Sequence, residues 1–201
     1  FLIEEQTWRL SLAKSQTKVR DVSQLALIKE SSDYFVPVNI EDDNDMFTFI
    51  FTVQPRAKTW KNIVTLNRND KLRLLLNVAR FRSCLKTRMS FFLHPNNLIF
   101  DDNLIPKIVY RGIREYVPPY EIDQETFLLQ YKCLIIALFS KKFTFDELYA
   151  GSIKHVKESD FEKKIASFDA IDPLLAYLER EYVKEQKETE KTMFHVPKKR
   201  F

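Results

Sequence analysis

The 201-residue chain predicts an α+β fold in which a small strand-rich first part precedes a mainly helical second part. Two observations carry that prediction. Residues 7–12, 34–40 and 47–53 form short apolar or alternating segments with one capped helix among them, the pattern of a small sheet. Beyond residue 120 the strand patterning stops, and apolar side chains recur every three or four positions as they do on helices.

In chain order, Trp8, Leu10 and Leu12 alternate onto one face of a first strand. Asp21 caps a short helix carrying Leu25 and Ile28. Strands Tyr34 to Ile40 and Phe47 to Val53 follow, joined by an acidic turn, Glu41 to Asp45. That carboxylate run lacks the glycine and the distal Glu of a calcium loop and reads as a solvated hairpin turn. Helices are expected over 58–66 and 70–85, the second with Leu72, Leu75, Leu76 and Ala79 as its buried stripe. Strands Arg88 to Leu93 and Leu98 to Phe100 flank the tight sequence His94-Pro95-Asn96-Asn97, and Lys107 to Tyr110 forms a further strand before Pro118-Pro119 breaks the chain. Phe127, Tyr131, Leu134, Ile135 and Leu138 mark a central helix, and Thr144 with Glu147 forms a capping box. The last helix starts near Asp172-Pro173, buries Leu174, Leu175, Leu178 and Tyr182, and then loses its apolar stripe, so its continuation projects, frays or pairs elsewhere.

Composition excludes several functions. Average usage of about 7% would supply roughly fourteen glycines, but only Gly112 and Gly151 are present. The Walker A loop, the dinucleotide fingerprint, the kinase phosphate loop and the G-x-S-x-G elbow each need clustered glycines. Charge is nearly balanced, 32 basic against 28 acidic residues, which argues against a nucleic-acid binder. Two cysteines, Cys84 and Cys133, form no metal or disulfide framework; they read as buried packing residues in a reducing compartment. The longest apolar run is seven residues, far short of the ~20 of a membrane span. The chain begins at Phe1 rather than Met and is read as a piece of a longer protein. His94 reads as a turn residue serving local hydrogen bonds, and His155 and His195 as surface residues without further ligands at metal spacing.

Residues 88–113, RMSFFLHPNNLIFDDNLIPKIVYRGI, run strand, tight turn ending in Asn, strand, turn, strand and glycine. This order resembles the catalytic and metal-binding segments of protein kinases, which implies a protein-kinase-like two-lobed fold with a degenerate hairpin at 88–113. On that resemblance Asn97 matches the end of the catalytic loop, and the base falls on Phe92, which accepts no proton. The His of the H-R-D triplet falls on Ser90. The metal-binding Asp falls on Tyr110, its following Phe on Arg111, and the glycine is retained as Gly112. Lys14 and Glu30 are the candidates for the phosphate-contacting lysine and its helix partner. The frame implies kinase order without kinase chemistry, hence no enzyme, no catalytic residue and no bound cofactor or metal.

The run His94 to Ile153 and the ending Met193 to Phe201 further resemble the EssB/YukC proteins of the bacterial type VII secretion machinery. What that resemblance implies is a pseudokinase-like cytoplasmic domain cut just before a single membrane helix, in a Gram-positive bacterium. Expected partners are a second copy, the machine's membrane ATPase and a small ubiquitin-like component. Lys198, Lys199 and Arg200 would then lie against an anionic membrane surface. The parts are expected as 1–56, strand-rich; 57–183, mainly helical; and 184–201, a charged helical extension with a basic tail. The alternative is a nucleotide sensor or unconventional kinase using Asn97 and Lys14; a basic surface binder is a weaker third.

Overall fold

In the computed structural model, which describes residues 6–194, strand β1 (Gln6–Ala13) pairs antiparallel with β3 (Met46–Val53), and β3 pairs with β2 (Val38–Asp43), giving the order β1-β3-β2. The register sets Trp8, Leu10 and Leu12 opposite Phe51, Phe49 and Phe47, so the apolar positions of both strands share one face. Between β1 and β2, Asp21 accepts from the Ser23 N–H and Gln24 closes the capping box, as the sequence predicts for this helix start. The 3₁₀ turn Val22–Leu25 and α1 (Ala26–Lys29) then press Leu25 and Ile28 into the core.

The second strand differs from its predicted bounds. Residues 34–36 do not pair with β3: Val36 donates to the Ile108 carbonyl and Ile108 donates to that of Tyr34, so this stretch crosses to another hairpin, and bonding to β3 begins where the Pro37 carbonyl accepts from the Thr52 N–H. Pro37, with no N–H, marks the switch. Strand β2 also runs on through Glu41, Asp42 and Asp43, and the turn is confined to Asn44-Asp45, with Asn44 in the left-handed region at φ 59°.

Helices α2 (Trp60–Ile63) and α3 (Arg68–Val78) are shorter than the expected 58–66 and 70–85. From Ala79 to Lys86 the chain winds as a 3₁₀ helix. That tighter turn stacks residues three apart and brings Phe81 and Cys84 to the core together. The buried residues of α3 are Leu72, Leu74, Leu75 and Val78, with Leu76 and Ala79 half-buried, because the helix is covered on two sides, by α7 and by β6.

Strand β5 (Leu98–Phe100) has its expected bounds, β4 (Met89–Ser90) and β6 (Pro106–Ile108) are shorter than expected, and β7 (Gly112–Ile113) is a short strand the sequence did not predict. They pair as two small antiparallel ladders, β4 with β7 and β5 with β6. Helix α4 (Gln124–Phe139) buries all five predicted residues. Thr144 and Glu147 cap α5 (Phe145–Tyr149) reciprocally, and Gly151 follows at φ 136°, where an L side chain is strained. Helix α6 (Asp160–Ser167) packs on α4. Helix α7 (Ile171–Phe194) lies on α3, with Leu174 and Leu178 buried. Beyond Tyr182 it stays helical: Arg68 bridges to Glu181 at 3.5 Å and Glu185 at 3.7 Å, and later side chains face solvent. Lys198, Lys199, Arg200 and His195 lie outside the described residues.

The cysteines yield a test of this packing. Burial pushes the Cys84 thiol up to about 11 and the Cys133 thiol up to about 12. Both should stay silent to an aromatic disulfide reagent at pH 8 in the folded protein and both should titrate in denaturant. A thiol released at once under native conditions would contradict the packing around it.

Candidate functional site

The hairpin region brings Phe92, Asn97, Tyr110, Arg111 and Gly112 together. Asn97 ends a 3₁₀ turn, Pro95–Asn97, whose start is capped by the His94 ring nitrogen accepting from the Asn96 N–H at 3.0 Å. Its amide nitrogen donates to the carbonyls of Phe92 at 3.0 Å and Tyr110 at 2.9 Å, and its oxygen accepts from the Tyr110 N–H at 2.7 Å. These are cross-links between the turn and the segment thirteen residues on. They use both amide protons and engage the oxygen, so the side chain is committed to backbone.

Tyr110 stands where the kinase-like order would place a metal carboxylate. Its ring meets Phe49 edge-on at 5.4 Å, and its hydroxyl donates to the Pro118 carbonyl at 2.7 Å. Desolvation drives the phenol well above its ordinary pKa, so it stays a neutral hydrogen-bond donor. Phe92 packs among His94, Phe145 and Tyr149, with ring centroids 5.4–6.0 Å away. His94 reaches Asp146 through Nε2 at 2.8 Å, which ties the turn to the start of α5.

Arg111 is the largest fully buried side chain, 1% exposed. Its Nε and Nη2 donate to the Ile28 carbonyl at 3.2 and 2.7 Å. Nη1 donates to Val36 at 2.5 Å and to Val109 at 3.0 Å. The guanidinium carbon lies 5.2 Å from the centroid of the Phe35 ring. Burial pulls its pKa down to about 10, which leaves it cationic at neutral pH. One fork thus joins the end of α1, the chain before β2 and the strand entering the site. Sequence reasoning saw Arg111 only as the loss of a Phe. The available signal was a lone arginine inside the run Ile108 to Ile113. Arg114 repeats the device, donating to Leu85, Thr87 and Ile122 carbonyls at 2.7–2.9 Å.

Gly112 sits in β7 opposite Ser90, and a Cβ there would overlap the carbonyls of Val117 and Pro118. Its glycine character answers to this close approach. Lys14 does not meet Glu30: its ammonium pairs with Asp42 at 2.5 Å and lies 5.1 Å from the Phe47 ring centroid, while Glu30 is exposed. Among the described residues no group of three or more His, Cys, Asp or Glu is arranged to hold a metal.

The fold and site therefore define a mixed α/β domain whose central polar groups bind its own backbone. The family described as "WXG100 protein secretion system (Wss), protein YukC" matches residues 12–201, and the chain belongs to that family. It is 29% identical over 187 residues to the type VII secretion system protein EssB of Staphylococcus aureus strains USA300 and Newman, which covers 93% of this chain and 42% of theirs. The crystal structure of the S. aureus EssB cytoplasmic fragment superposes with a TM-score of 0.78 at 29% identity, over 87% of this chain and 99% of that one. The Geobacillus thermodenitrificans EssB cytoplasmic fragment gives 0.81 at 26% identity, over 94% and 90%. In extent, the chain corresponds to these fragments and spans less than half of the curated relatives it matches. No described helix is long and apolar enough to cross a membrane.

Proposed function

We propose that this chain is a non-catalytic, pseudokinase-like interaction domain on the cytoplasmic side of a single-span component of the type VII secretion machinery, where it supports assembly of the channel. The observation that carries the reading is Asn97, whose amide is spent on the backbone of residues 92 and 110. Phosphoryl transfer needs metal ions to neutralise charge on the transferred group and a base to take the hydroxyl proton. Tyr110 and Phe92 at those positions offer neither, and Lys14 is held by Asp42. On this reading 1–56 and 57–183 are the two lobes, and 184–201 leads toward the membrane. The partners are a second copy, the membrane ATPase and a ubiquitin-like component, with anionic lipid near Lys198, Lys199 and Arg200.

Titrating Mg-ATP while following Tm tests it. A ligand at a hundred times its Kd adds about 2.7 kcal/mol, which raises Tm by roughly 5–10 °C in a chain of this size. The expected trace is flat to millimolar nucleotide. A saturable rise would overturn the reading in favour of a nucleotide sensor.

A further inference from the structure

The two edges of the three-stranded sheet are not alike. The β2 edge follows Pro37 and carries Glu41, Asp42 and Asp43, the devices that keep an edge from pairing. The β1 edge has none of them except one charge. It is eight residues long, holds unbroken register from Gln6 opposite Val53 to Ala13 opposite Met46, and contains no proline or bulge. No described strand pairs with its outer side.

Its side chains are unfinished in the same place. Leu10 faces the core side of the sheet, yet it is 39% exposed while Phe49, directly opposite, is 0% exposed. Trp8 and Leu12 on the same face are half-buried. On the other face Arg9 has no ion pair among the described residues. Among the described residues the apolar layer runs out at β1, beside a row of backbone donors and acceptors that no described strand pairs.

We infer that the β1 edge receives an extended segment of a partner protein, apolar at alternate positions and carrying a carboxylate between them that meets Arg9. Backbone pairing supplies affinity in this mode, and the alternating side chains supply selectivity. A second copy fits less well, because Gln6–Ala13 contains no carboxylate and would leave both Arg9 side chains unpaired. The inference rests on reading the domain as an interaction module. Its failure is separable, since nucleotide titration tests that reading and the experiment below tests only the edge.

The probe is a blocked octapeptide alternating valine and glutamate, added to the domain while hydrogen exchange is followed over residues 6–13. Exchange there should slow saturably. A valine–lysine peptide should bind more weakly by a factor of about 2–5, the range of one exposed ion pair. Arg9→Glu should invert that order. Leu10→Lys, at a position open enough to keep the fold, should abolish protection with Tm unchanged. Equal protection by both peptides, or none by either, would overturn the inference. Protection without peptide in a protein that sediments as a dimer would also overturn it and assign the edge to a second copy.

Discussion

Gly112→Ala should be among the most damaging single-methyl changes in the chain. The added Cβ would sit 2.6 Å from the Pro118 carbonyl carbon and closer still to the oxygens of Val117 and Pro118. All three are backbone atoms, so no rotamer change relieves the overlap. The Ser90–Gly112 pairing resists movement on the other side. Overpacking usually costs about 1–3 kcal/mol, and a collision with rigid backbone belongs at or beyond the top of that range. At about 2–4 °C per kcal/mol for a chain of this length, the midpoint should fall by some 6–12 °C. Thermal unfolding followed by circular dichroism checks it. A drop within 1–2 °C, as expected of an ordinary exposed substitution, would mean that the 117–118 segment yields.

Arg111→Met should produce a loss on the order of 3 kcal/mol or more. Methionine fills much of the volume but leaves the carbonyls of Ile28, Val36 and Val109 without this donor, at ~1–3 kcal/mol for each one left unpaired. Removing a buried charge that has no carboxylate partner offsets part of the cost. The informative comparison is Arg111→Lys. An ammonium keeps the charge but has no planar fork to reach three carbonyls on separate segments, so it should not rescue the midpoint. In hydrogen exchange, the loosening should concentrate at 26–38, where two of the three acceptors lie. A lysine variant as stable as the parent would show that charge rather than fork geometry holds these segments.

Much of this was legible in the residues. Local signals worked where the chain itself supplies the partner: the caps at Asp21 and Thr144 form as predicted, and the stripe from Phe127 to Leu138 is buried over its full length. Element ends were less legible. The helix expected to Lys86 changes winding at Ala79, and the strand expected from Tyr34 begins at Val38, because in both places contacts with distant segments outweigh local propensity. Asn97 was legible as the end of a tight turn, whereas its partner Tyr110 lies thirteen positions away and was invisible to spacing rules.

By itself, the sequence determined the α+β order, the helix caps, the central apolar helix, the exclusion of glycine-rich phosphate loops and the resemblance to a secretion-system family. Those properties depend on residue type and near neighbours. Only the tertiary structure decided that Arg111 is a staple, that Gly112 is required by approach to 117–118, that Lys14 belongs to Asp42, and that one sheet edge is guarded while the other is open. The physical reason is common to all four. Each depends on which backbone carbonyl, carboxylate or strand folding brings beside a residue, from tens of positions away for Arg111 and Lys14 and from a chain that turns back on itself for Gly112, or leaves absent from its side, and no periodicity in a single chain encodes that.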